Sequence, residues 1–147
     1  MVCCFFGHKD TPSSIYTELE VKIRYVIEYE AVDYFLVGNN GAFDSMALCA
    51  LRNVVHEYPT VSYHVVLAYL PTKYKEGWSY NATETLYPEG LESIPPKYAI
   101  TWRNNWMVAS ADIVICYITH GWGGAARYSE HARKKGKMII NLGSYNI

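Results

Sequence analysis

Three short segments gather the residue types that hold anions and sugars. They are Gly7-His8-Lys9-Asp10; Gly38-Asn39-Asn40-Gly41, followed by Asp44; and His120-Gly121-Trp122-Gly123-Gly124, followed by Arg127. Each follows an apolar run that reads as a strand. Glycine lets the backbone approach a ligand closely, and a helix opening after the turn offers unpaired N–H groups to an anion. In an open parallel sheet all three turns lie at the carboxyl edge, where ligands bind. Together they point to a nucleotide-like ligand.

The side chains refine this expectation and leave alternatives open. Asn39 and Asn40 tolerate left-handed backbone and offer amides for hydrogen bonding. Asp44, just inside a helix, either receives a ribose hydroxyl or complements the helix dipole. His8 and Lys9 suit a phosphate contact or a solvated turn. Arg103 sits among Trp102, Trp106 and Met107; an unpaired cation there is costly, so it needs a ligand or an internal carboxylate such as Asp112 or Asp44. His120 is of the side-chain type that serves proton transfer, but a lone His beside a glycine turn also serves as a packing residue. Trp122 would meet a base or a neighbouring subunit. His56, His64 and His131 share no ligand spacing, so neither a metal site nor a cofactor is expected.

These residues need a scaffold that places three turns on one edge. Val2 to Phe6 reads as a buried strand ended by Gly7. Thr11-Pro12 reads as a helix start, with Thr11 as N-cap and Pro12 at the first helical position. Ile15, Leu19, Ile23, Val26 and Ile27 form the apolar face of that helix. Strands follow at Asp33–Val37 and Val61–Leu70, with a helix through Met46, Ala47, Ala50, Leu51, Val54 and Val55 between them. The stretch 71–97 carries Pro71, Pro88, Pro95 and Pro96 with Tyr74, Trp78, Tyr80 and Tyr87, and shows no period. It reads as a long loop that folds over the sheet edge, packs on the surface or meets another subunit. A helix from Tyr98 to Ala109, a strand from Asp112 to Ile118, a helix from Gly123 to Lys135 and a strand from Lys137 to Leu142 complete the alternation. Gly136 suits a helix C-terminal turn. The expectation is an α/β three-layer sandwich, Rossmann-like, with a mainly parallel five-stranded sheet in a single domain.

Bulk properties exclude several classes. With 147 residues, half of them apolar, one sizeable core is affordable. A net charge of −1 offers no footprint for nucleic acid or an acidic membrane. The N-terminal run Met1-Val2-Cys3-Cys4-Phe5-Phe6 lacks the basic start of a signal peptide, so a cytoplasmic site is expected. Cys3, Cys4, Cys49 and Cys116 have no metal-ligand spacing and read as reduced packing residues.

Taken in order, the segments resemble SLOG-type Rossmann-like domains, which include LOG phosphoribohydrolases, DprA-like proteins and nucleotide-sensing modules of bacterial defence systems. Gly7-His8-Lys9-Asp10 is similar to their G-[S/H]-R-D turn, with Lys9 where Arg is usual. Gly38 through Ala47 is similar to G-G-x-x-G-x-D-x-x-A. Arg103-Asn104-Asn105-Trp106-Met107, Ala111-Asp112 and Gly121-Trp122-Gly123-Gly124 resemble the remaining motifs. The resemblance implies that Arg103 touches phosphate or sugar, that the ligand is an ADP-ribose-type or cyclic-nucleotide signal, and that the chain is a homo-oligomer. Where LOG enzymes carry a catalytic glutamate, this chain has Arg127. That favours a binder that senses or sequesters its ligand, as a phage counter-defence sponge would. The alternatives are a LOG-like phosphoribohydrolase using Arg103 and Glu130, and a protein-interaction module.

Overall fold

In the computed structural model, which describes residues 1–70 and 80–147, six parallel strands form one sheet. They are β1 (Val2–Gly7), β2 (Tyr34–Val37), β3 (Ser62–Val66), β4 (Thr85–Leu86), β5 (Ile113–Tyr117) and β6 (Met138–Asn141), in the order β4-β3-β2-β1-β5-β6. Helices α1 (Tyr16–Tyr29), α2 (Ala42–Val54), α3 (Ala99–Ser110) and α4 (Gly124–Lys134) alternate with them. None of these helices is long and apolar enough to cross a membrane.

Strand alternation creates the layers. Cys3 and Phe5 point into the core shared with Leu19, Ile23 and Val26 of α1 and Phe43, Ala47 and Leu51 of α2. Cys4 and Phe6 point the other way, onto Met107 and Val108 of α3 and Ala126, Tyr128 and Ala132 of α4. A period of two thus sends adjacent residues to opposite cores. The chain moves outward from β1 through β2 and β3, then returns across the sheet to β5. Strand order therefore reverses between β1 and β5, and the carboxyl ends at that point form a crevice.

The expected class holds, with a sixth strand beyond the five expected. Thr85–Leu86 pairs with Val65 and Val66; two residues are too short to show a period. The third strand ends at Val66, Leu67 N–H makes a last bond to β4 at the Leu86 carbonyl (2.8 Å), and the chain then leaves the sheet with Tyr69 and Leu70 exposed. Thr11 is not a helix cap: its hydroxyl donates to the His8 carbonyl, a short 3-10 turn Ser13–Ile15 follows Pro12, and α1 begins at Tyr16. Gly136 adopts a left-handed conformation (φ 81°) after α4, as expected. All four cysteines are free, but Cys49 is exposed on α2 and is no packing residue. Within the aromatic stretch, Tyr74 and Trp78 lie outside the described residues, whereas Tyr80 and Tyr87 pack against the α1/α2 core.

Glu84 anchors this crossover region. Its carboxylate, 6% exposed, accepts from Arg52 Nη2 at 2.6 Å and Nε at 2.9 Å, and from the Tyr63 hydroxyl at 2.6 Å. Arg52 foremost, with Tyr63, pulls its pKa from 4.5 down to about 2 against the effect of burial. A carboxylate with depressed pKa stabilises the fold fully above 4.5, and that contribution disappears as pH falls toward 2. Glu84→Gln is therefore expected to lower stability at pH 7 by about 2–3 kcal/mol. It should also flatten the acid limb below pH ~4.5, as measured by urea denaturation across pH.

Candidate functional site

A cavity of about 500 Å³ opens at the β1/β5 reversal. The end of β1 contributes Gly7, His8, Lys9 and Asp10; the β2–α2 turn contributes Gly38, Asn40 and Asp44; α3 contributes Arg103; and the β5–α4 turn contributes His120, Trp122, Gly123, Gly124 and Arg127. Asn39, Gly41 and Gly121 do not line it. Ile100, Thr101, Asn104 and Tyr128 do, and were not anticipated. Their signal was the spacing Ile100, Asn104, Met107 on one face of α3, where a polar residue interrupts an apolar stripe.

Close packing requires the first glycine. A Cβ on Gly7 would lie 2.1 Å from Phe43 Cγ, so α2 sits directly on the β1 backbone. Helices α2 and α4 then open in nearly the same way, on glycines with φ/ψ of 97°/177° (Gly41) and 94°/171° (Gly123). Only glycine adopts that conformation readily.

The two helix openings differ in charge. At α4 the first turn holds no acidic residue, and among the described residues no acceptor takes the N–H of Gly124, Ala125 or Ala126. Arg127 follows, its guanidinium 5.2 Å above the Tyr128 ring. At α2, Asp44 occupies the first turn and its Oδ2 accepts the Asn40 N–H at 2.9 Å. One opening is a cationic cradle; the other already holds a carboxylate.

Arg103, 1% exposed, builds the α2 side. Nη1 donates to the Val66 carbonyl at 2.8 Å and to Asn39 Oδ1 at 3.1 Å, and Nε donates to Asn104 Oδ1 at 2.8 Å. With its amide oxygen turned toward Arg103, Asn40 accepts from Nη2 at 3.0 Å. Four of the five guanidinium N–H groups are thus engaged by neutral acceptors. Among the described residues no carboxylate pairs with it. The expected internal pairing with Asp112 does not occur, because Asp112 lies at the opposite sheet edge and accepts the Val2 N–H at 2.9 Å. Asp44 is near enough to interact electrostatically, and only Gly38 lies between: a Cβ there would be 2.8 Å from Asp44 Oδ2 and 3.5 Å from Arg103 Cζ. Burial lowers the Arg103 pKa. Burial also raises that of Asp44 to about 6, outweighing the Asn40 N–H and Arg103.

Three rings stack along the other wall. His8 and His120 have centroids 3.9 Å apart at 18°, and His120 and Trp122 are 3.7 Å apart at 19°. His8 Nε2 accepts the Thr119 N–H at 3.1 Å, which puts the ring proton on Nδ1. Burial foremost, then His120, lowers the His8 pKa. His120 Nδ1 is buried without a partner, and Trp122 is 71% exposed.

Glu130 does not reach this cavity. It binds Arg133 at 2.6 and 2.9 Å and lines a separate cavity of about 290 Å³ with Gly121 and Tyr145. The Arg103–Glu130 pair of the hydrolase alternative is therefore not assembled. Among the described residues no group of three metal-ligating side chains occurs. No protein-family model matches the chain, and no curated protein matches it in sequence.

The raised Asp44 pKa has a definite sign. The folded state holds this proton more tightly than the unfolded chain, so the contribution to stability is present below 3.8 and is lost as pH rises through about 6. His8, with a lowered pKa, acts in the opposite direction, so the informative quantity is the difference between wild type and Asp44→Asn. Between pH 4.5 and 7.5 wild type should lose about 2 kcal/mol relative to the variant, measured from urea midpoints.

Proposed function

We propose that this chain binds a nucleotide-derived small molecule of the ADP-ribose or cyclic-nucleotide type at the carboxyl edge of its sheet, and that it holds the ligand to sense or sequester it. The unpaired N–H groups of Gly124, Ala125 and Ala126 beside Arg127 carry the reading. A helix N-terminus without an acidic residue, flanked by a guanidinium and within the same cavity as Lys9, suits a phosphate in charge and in donor number.

The opposite end of the cavity suits a sugar. Asp44 and Asn40 offer acceptors and an amide, and Asp44 would repel a phosphate placed there. A ligand whose phosphate is joined to a ribose matches this polarity, with the phosphate at α4 and the ribose hydroxyls at Asp44, and about 500 Å³ lies within the range of small-molecule sites. Holding is favoured over cleavage because Arg127 occupies the α4 position that the SLOG resemblance gives to a catalytic glutamate, while Glu130 faces another cavity. Sequestration of an immune signal, as a phage counter-defence protein would perform it, and a homo-oligomer belong to the same proposal.

The test is native mass spectrometry of freshly purified protein, followed by titration with ADP-ribose, cyclic ADP-ribose and cyclic di- and trinucleotides. At least one should be retained or bind tightly; an empty spectrum and flat titrations would falsify the reading. Ala125→Asp is the sharper variant, because it places an anion on the α4 N-terminus. It should raise thermal stability slightly, by about 0.3–1 kcal/mol through the helix dipole. It should also weaken ligand binding at least tenfold, a split that a damaged fold would not produce.

A further inference from the structure

Trp122 combines two properties that rarely occur together. It is 71% exposed, yet its ring is held parallel to His120 at 3.7 Å, and His120 is in turn held by His8 at 3.9 Å. The inner ring of this stack is covered on both faces, so Trp122 alone presents a free one. Beneath the turn, Asn141 accepts from Ile118 N–H at 2.9 Å and donates to the Ile118 and Tyr145 carbonyls at 3.1 and 2.7 Å. The Tyr145 ring packs against Gly121, where a Cβ would lie 2.5 Å from its hydroxyl and push it aside. A large ring fixed in water costs little further ordering when something stacks on it.

What stacks there follows from the next residues. Trp122 lines the same cavity as Gly123, Gly124 and Arg127 and directly precedes the unpaired N–H groups of α4. A planar ring joined through a sugar to a phosphate would span both. Gly121 and Gly123 flank Trp122, so its neighbours in the chain bring no side-chain donor or acceptor to the edge of a stacked ring.

We propose that the free face of Trp122 is a base-stacking subsite that reads a nucleobase by its face alone, so that the site takes purine and pyrimidine nucleotides alike. This rests on the phosphate reading of the α4 N-terminus given above. Every nucleobase offers a π-face, whereas discrimination between bases requires hydrogen bonds to their edges.

The experiment compares AMP, CMP and ribose 5-phosphate on wild type and Trp122→Ala by NMR-monitored titration. Wild type should bind AMP and CMP within about tenfold of each other. It should bind AMP between about 5- and 150-fold tighter than ribose 5-phosphate, the worth of one base–aromatic stack. Trp122→Ala should erase that advantage and leave ribose 5-phosphate binding and the melting temperature unchanged, while Trp122→Phe keeps part of it. Ribose 5-phosphate binding as tightly as AMP overturns the subsite and spares the phosphate reading. So does AMP exceeding CMP by a hundredfold, which would mean edge recognition, or loss of an oligomer in Trp122→Ala with AMP affinity intact. If neither AMP nor ribose 5-phosphate binds wild type, both readings fall together.

Discussion

A buried guanidinium without an ion pair organises the carboxyl edge. Arg103 comes from the α3/α4 layer, yet its bonds end on the last residue of β3 and on the turn leading into α2. It therefore ties helix α3 to the carboxyl ends of β2 and β3. A buried charge needs dipoles if it has no counter-ion. That requirement explains Asn39, Asn40 and Asn104, whose amide oxygens face the guanidinium, and the absence of a side chain at Gly38. Moving Asp44 into direct contact would neutralise Arg103 but would remove the Asn40 N–H bond and close the wall of the cavity. The charge separation is what keeps the cavity polar at this end.

Close backbone contacts set the remaining geometry. Phe43 lies on Gly7, which brings the α2 N-terminus over the end of β1. At the far side Gly143 passes so near the Ile118 carbonyl that a Cβ would sit 2.3 Å away, and Asn141 and Tyr145 lock the tail under the β5–α4 turn. The ring stack is the outcome of both constraints. His8 belongs to the β1 end and His120 to the β5 end, and they meet because β1 and β5 pair in register from Cys3–Ile113 to Gly7–Tyr117.

Much of this was legible in the sequence because it depends on local pattern. The continuous apolar run Val2–Phe6 and the apolar face of α1 pointed to the layers, and three glycine turns after strands marked the edge that carries the cavity. Features set by distant partners were not legible. Thr85–Leu86 becomes a strand only because β3 offers a free edge, and Thr11 turns back to the His8 carbonyl instead of capping a helix. Glu130 lies on α4 one turn beyond Arg127, yet it pairs with Arg133 and lines a different cavity, which spacing along the helix does not reveal. The Arg103 acceptors are neutral groups from three segments, three amide side chains and the Val66 carbonyl, so a search for a carboxylate partner finds none of them. Asn104 and Thr101 carried a faint signal, as polar residues on an otherwise apolar helix.

The two helix openings show how similar backbone yields opposite chemistry. Gly41 and Gly123 share their dihedral angles within a few degrees, and both start helices that point their N-termini at the crevice. At α2 the first turn supplies its own anion, so the positive end of the dipole is already answered. At α4 it supplies none, and Arg127 adds to the field. A symmetrical dianion would gain from only one of these ends. The gradient across the cavity therefore imposes a direction on any ligand that carries both an anionic group and hydroxyls, with the anion at the α4 N-terminus and the hydroxyls beside Asp44. Such a direction is set by the two helix openings alone and needs no further recognition element in the cavity.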